Sequence, residues 1–192
     1  MKEHPILFST PMVQAILEGR KTQTRRVIKA KGLSLNPLSH DYATSGKYVN
    51  GSAIFIGDRG ISNPVKCPYG QVGDKLWVRE TWHPFKNSDT YKKSKDKCLY
   101  KVDGQLTLLK WKPSIFMPRW ASRITLEITD IRVQRLWEIT DEDAKAEGIG
   151  ATEPLVFNDS YKDSYAWLWD KINKKHVWIL NEFVWVISFK RV

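Results

Sequence analysis

Apolar and polar positions alternate with a period of two along Lys75 to Trp82, KLWVRETW. Leu76, Val78, Glu80 and Trp82 fall on one side and Trp77, Arg79 and Thr81 on the other, which predicts a strand. Ile124 to Arg135 repeats the pattern with Ile124, Leu126 and Ile128, then bends near Asp130 into Ile131 and Val133. Phe183 to Phe189, FVWVISF, is apolar on both faces at first and predicts a central strand. Asn50-Gly51 and Asp103-Gly104, each between strand-like residues, predict hairpin turns.

The helical period appears three times. Pro11 to about Glu18 places Val13, Ile16 and Leu17 on one stripe, with Thr10 as cap and Gly19 as terminator. Asp141 to Glu147 follows Thr140, with Asp143 three residues on and Gly148 as the stop. Ser160 to Asn173 gathers Tyr161, Tyr165, Leu168, Trp169 and Ile172 on one face. Strands with interspersed helices and no βαβ rhythm predict an α+β fold, a small and mostly antiparallel β-barrel with short helices outside it. The chain of 192 residues reads as one domain, 1–192, with loop insertions at about 31–70 and 86–97.

Composition narrows the partners. A net charge of +10 favours polyanions, and nine tryptophans offer either core packing or stacking surfaces for bases. Cys67 and Cys98 lack metal or disulfide-framework spacing, and His4, His40, His83 and His176 lack ligand spacing. The expectation is no metal, no cofactor and a reducing, cytoplasmic setting. The start of the chain is broken by His4, Pro5, Ser9, Thr10 and Pro11, so it predicts no signal-peptide core, and no apolar run is long enough to suggest a membrane span.

Chemistry concentrates in a few stretches. Gly19 to Arg26, GRKTQTRR, holds Arg20, Lys21, Arg25 and Arg26 with Thr22 and Thr24. If extended, Lys21, Gln23 and Arg25 point one way and Thr24 and Arg26 the other; a turn at Lys21 instead brings Lys21 beside Thr24. Charge alone favours a solvated basic turn over an anion site whose lysine is a base. Glu147, in the last turn of its helix, opposes the helix dipole without visible compensation. Arg79, Glu80 and Trp82, and then Arg119 and Trp120 in MPRW, read as packing or as walls with cations for phosphate and rings for stacking.

Together GRKTQTRR, GDKLWVRETW, RWASRITLEITDIRV and FVWVISFKRV resemble the ASCH domain family, most of all its longer members encoded in phage and prophage genomes. That resemblance spans Ile6 to Val192 and implies a PUA-like barrel with a cleft for RNA or nucleosides. A compact branch of the family removes the acetyl group from acetylcytidine. Its G-x-K-x-x-T element matches Lys21 and Thr24, and its helix glutamate matches Glu147 in ITDEDAKAEGI. The resemblance implies Thr24 as nucleophile, Lys21 as the group taking its proton, and Glu147 as the residue that orients or shuttles protons. Substrate contacts fall to Arg20, Arg25, Arg26, Arg79, Glu80, Trp82, Arg119 and Trp120. The alternative is a non-catalytic RNA-binding module, or a ribonuclease, using the same basic cleft.

Overall fold

The computed structural model describes residues 1–29, 43–57, 60–84, 98–104, 108–150 and 160–192. Its central element is a five-stranded sheet, in the order β1 (Glu3–Leu7), β7 (Lys75–Arg79), β10 (Thr125–Arg135), β11 (Phe183–Arg191), β2 (Gln23–Val27). All neighbours are antiparallel except β1 and β7, which run parallel. The chain passes from one edge strand to the other through α1 (Thr10–Leu17). The doubly apolar strand is central, as its pattern requires. Phe183, Trp185, Ile187 and Phe189 enter one core and Val184 and Val186 the other.

The first core is closed by α1 and by a second sheet of β3 (Ala43–Val49), β4 (Ser52–Gly57), β5 (Gly60–Ile61) and β6 (Val65–Lys66). Much of the expected insertion at 31–70 is therefore part of the body: Ala43, Ala53 and Phe55 are fully buried. The second core lies under α2 (Asp141–Ala146) and α3 (Tyr161–Ile172). A third, small cluster of Trp82, Tyr100, Met117 and Ala121 forms where β8 (Trp82–Pro84) pairs with β9 (Cys98–Tyr100).

Several expectations need correction. The described strands make an α+β molecule of separate sheets, and no closed barrel is seen among them. Asn50 and Gly51 have positive φ, 47° and 81°, and form the predicted hairpin turn. Lys101–Asp103 is instead a single 3₁₀ turn with Gly104 extended, because β9 pairs backwards with β8. The strand predicted to Trp82 breaks after Arg79, and Trp82 begins the separate pair with β9. Helix α1 starts one residue early, with Ser9 as its cap and the Ser9 carbonyl accepting from the Val13 N–H at 2.9 Å. The bend expected near Asp130 is a register shift between Ile128 and Asp130. The expected insertion at 86–97 lies outside the described residues. Among the described residues no helix is long and apolar enough to cross a membrane.

Candidate functional site

Gly19 ends α1 with φ +77°, and both the Arg20 and Lys21 N–H groups donate back to the Ala15 carbonyl, at 2.9 and 3.0 Å. This wrapped turn aims the Lys21 side chain into the protein, where the residue is only 2% exposed. An ammonium carries three donors and nothing to accept with, so burial demands three acceptors. Lys21 Nζ finds them in the Gln23 carbonyl (2.8 Å), the Glu147 carbonyl (2.7 Å) and Glu147 Oε2 (2.8 Å). Desolvation pushes the Lys21 pKa down, and the Glu147 carboxylate pulls against that shift.

Of the two conformations open to GRKTQTRR, the structure adopts the one in which Lys21, Gln23 and Arg25 share a side. All three reach α2. Arg25 Nη1 donates to Gln23 Oε1 (2.9 Å) and to Glu147 Oε1 (3.2 Å), while Nη2 donates to Asp143 Oδ2 (2.7 Å). Gln23 Nε2 and Arg132 Nη2 both donate to Asp143 Oδ1, at 3.1 and 2.9 Å. Tyr165 of α3 is fully enclosed and hydrogen-bonds Glu147, and its burial raises the phenol pKa well above the ordinary value. Two carboxylates from one helix thus meet three cations from β2, its leading turn and β10.

The position of Glu147 now has a physical reason. It caps the C-terminus of α2, and the cation of Lys21 sits on its main-chain carbonyl, where the helix end is negative. Arg20 Nη1 donates to the next carbonyl, Gly148 O, at 2.9 Å. Gly148 has φ +93°, and a Cβ there would lie 3.0 Å from the Ala15 Cβ and 3.1 Å from the Lys21 Cβ. Only glycine lets the end of α2 approach α1 and Lys21 this closely.

Beside this network lies a cavity of about 240 Å³. Thr24, Arg25, Arg26 and Val27 of β2 form one wall, with Glu147 at its inner end. Tyr165, Leu168, Trp169, Ile172, Asn173 and His176 of the α3 region form the opposite wall, and Met12 and Tyr69 lie at the sides. Its size is below the roughly 300–1,000 Å³ of drug-sized sites and suits a compact ligand with one ring system. A neighbouring cavity of about 250 Å³ shares Met12, Glu147, Leu168 and Ile172 with it and is lined mostly by apolar side chains. The carboxylate-bearing Glu147 therefore borders both spaces.

Lys21 and Glu147 are joined although they lie 126 residues apart in sequence, and Glu147 and Thr24 line the same cavity. Lys21 itself is shielded: its donors are spent on Gln23 and Glu147, so Glu147 and Thr24 are the members that line the cavity. Arg25 and Arg26 are at the site. Arg26 stacks over Phe8 at 5.2 Å and donates to the Leu7 carbonyl at 2.6 Å.

The remaining predicted contacts lie elsewhere. Arg20 pairs with Glu18 at 2.5 Å beside the second cavity. Arg119 forms a bidentate pair with Glu3, at 2.8 and 3.0 Å. Arg79 lies over the Trp77 ring at 5.5 Å. Trp82 is 3% exposed and packs edge-on against Trp120 at 5.7 Å, so its ring faces the third cluster and is not presented for stacking. Glu80 is buried in a bidentate pair with Arg123, at 3.0 and 3.2 Å. Among the described residues no cluster of three or more His, Cys, Asp or Glu side chains is arranged to hold a metal.

Sequence reasoning missed Gln23, Asp143, Tyr165, Trp169 and His176 as parts of the site. His176 Nδ1 is 2.6 Å from Glu182 Oε2, and its carbonyl accepts from Trp169 Nε1 at 2.6 Å, so this ring is fixed at the cavity wall. Asp143 carried a signal, because a helix cap needs its N–H alone and leaves the carboxylate for another use. Comparison of the chain with protein-family models, curated proteins and solved structures finds no match in any of the three.

Proposed function

We propose that this chain is an ASCH-type, PUA-like protein that hydrolyses an acylated nucleoside or the same base within RNA, on the pattern of acetylcytidine amidohydrolases. The observation that supports it most is that Thr24 and Glu147 line one cavity sized for a single ring system, with Lys21 hydrogen-bonded to Glu147. In this reading the Thr24 hydroxyl attacks the acyl carbonyl. The Thr24 Oγ1–carbon bond forms, the carbon–nitrogen bond breaks, and the base amine leaves with a proton. The Glu147 carboxylate, which lines the same cavity, takes the hydroxyl proton and passes it to the leaving amine, while the Lys21 ammonium hydrogen-bonded to it holds it in place. Water then cleaves the acyl-threonine. The setting is cytoplasmic, and a phage or prophage origin agrees with the resemblance.

The binding-module reading asks Arg20, Arg25, Arg26, Arg79 and Arg119 to hold phosphates. Arg20, Arg25 and Arg119 already pair with carboxylates, which weakens it. The experiment incubates the protein with N4-acetylcytidine and with short RNA containing it, and follows release of cytidine and acetate. Deacetylation by the wild type and its loss in Lys21→Ala support the reading. No turnover at high enzyme concentration, across acylated nucleosides and RNAs, overturns it.

A further inference from the structure

The outermost strand of the main sheet presents main chain to the cavity. The Thr22 carbonyl accepts from the Phe189 N–H at 2.8 Å, and the Ile28 N–H donates to the Phe183 carbonyl at 3.1 Å. Successive peptide groups of a strand face opposite sides, so Thr24 and Arg26 also turn their N–H and C=O toward β11. Gln23, Arg25 and Val27 turn theirs away. β2 is the end of the sheet, and among the described residues no further strand receives them. The outward carbonyl of Gln23 is taken by Lys21 Nζ. The outward N–H and C=O of Arg25 and Val27 have no main-chain partner among the described residues, yet both residues line the cavity and Arg25 is only 4% exposed.

Buried peptide groups demand partners, and an edge strand is a ready template for pairing. The α3 residues Tyr165, Leu168 and Trp169 line the same cavity as this edge. Its volume of about 240 Å³ is of a size for one flat ring. Along the edge the groups run donor, acceptor, donor, acceptor.

We propose that the free edge of β2 is the recognition element of the site: the N–H and C=O groups of Arg25 and Val27 bind a planar heterocycle carrying an adjoining hydrogen-bond donor and acceptor, as the amine-bearing edge of cytosine does. This rests on the nucleoside-directed reading above and adds to it which atoms select the base. The selectivity belongs to the main chain, so side-chain exchange at Val27 does not remove it.

Proline supplies the test. The Val27 N–H lies off the ladder, and edge strands accept proline where the N–H faces outward. Val27→Pro deletes that one donor, and Val27→Ala controls for loss of the side chain, which packs on the second core. Cytidine binding is measured by calorimetry, and thermal unfolding is recorded for each variant. Val27→Pro is expected to melt close to Val27→Ala and to bind cytidine about tenfold more weakly, the effect of one hydrogen bond in an enclosed site. In the wild type, N4,N4-dimethylcytidine, which lacks the donor, is expected to bind about tenfold more weakly than cytidine.

Equal cytidine affinity of Val27→Pro and Val27→Ala overturns the inference while leaving the hydrolase reading to its own turnover assay. Equal affinity of the wild type for cytidine and its dimethyl derivative does the same, and this arm stands even if the proline variant fails to fold. No binding of any nucleoside by the wild type overturns both.

Discussion

Glu147 and Glu80 are both buried, 5% and 2% exposed, and both are gripped by arginine, yet they belong to different kinds of structure. Glu80 sits in a closed arrangement. Arg123 holds it with both faces of its fork and turns its remaining donors to Asp103, at 2.5 and 2.9 Å, while stacking over Tyr100 at 3.9 Å. Glu147 is gripped by Lys21, Arg25 and Tyr165 and still borders a cavity lined by Thr24 and by β2 residues whose outward peptide groups have no main-chain partner among the described residues. A buried ion pair is weak evidence of function, because such pairs also serve register and packing. What separates these two is an adjoining cavity with the Thr24 hydroxyl in its wall.

The largest expected effect breaks the Lys21–Glu147 pair itself. Lys21→Met leaves a buried carboxylate with Arg25 and Tyr165 and without its ammonium partner, and should cost about 3–5 kcal/mol of stability, measured by urea unfolding. Lys21→Met combined with Glu147→Met should recover much of that loss, because an apolar pair of similar volume replaces the ions. A single variant as stable as the wild type would place the pair at the surface energetically, contrary to its burial.

Next comes the direct contrast. Glu147→Gln and Glu80→Gln each remove one buried charge. Deacetylation should be lost in the first and kept in the second, whatever both do to stability. Equal loss of turnover in the two would dissolve the distinction drawn here. Thr24→Val is a finer cut. It preserves shape next to Ile187, its partner across the ladder, and should abolish turnover while cytidine still binds. Thr24→Ser should retain part of the rate.

The contrast also explains what was readable in the sequence. Periodicity located the strands and helices because each buries a regular stripe, and FVWVISF was legible as central since both of its faces are buried. A period of two offered the common side of Lys21, Gln23 and Arg25, but a turn at Lys21 was equally compatible with the sequence, and the structure decided between them. The partner of Lys21 did not, since nothing local connects it with Glu147; only the resemblance placed them together. Trp82 and Trp120 were ambiguous because a tryptophan in an alternating strand looks the same whether it meets a ligand or another tryptophan. The α+β class was legible, but a barrel was not, because pattern reports that strands exist and not whether their ends close. Asp143 was hidden by its own success as a helix-start residue: its N–H satisfies Thr140 Oγ1 at 3.2 Å while its carboxylate serves Arg25 and Arg132.

The smallest effect concerns how carboxylates are held away from the cavity, and its sign can be worked out in advance. Burial pushes the Glu80 pKa up, with Arg123 pulling against it. The folded protein therefore keeps this proton to higher pH than the unfolded chain, and stability from Glu80 falls as pH rises from the ordinary glutamate value through the raised one. Asp74 is the reverse case. Its carboxylate accepts from the Lys2 N–H at 2.6 Å and the Gln71 N–H at 3.2 Å, which lowers its pKa below the ordinary aspartate value. Its contribution is present above that ordinary value and is lost as pH falls through the lowered one. Urea midpoints of wild type, Glu80→Gln and Asp74→Asn, followed from about pH 3 to pH 7, should show the two differences from wild type sloping in opposite directions. Slopes of the same sign would mean that the arginine, not burial, governs Glu80. The closed cluster would then be a net stabilising ion pair, and its contrast with Glu147 would rest on the cavity alone.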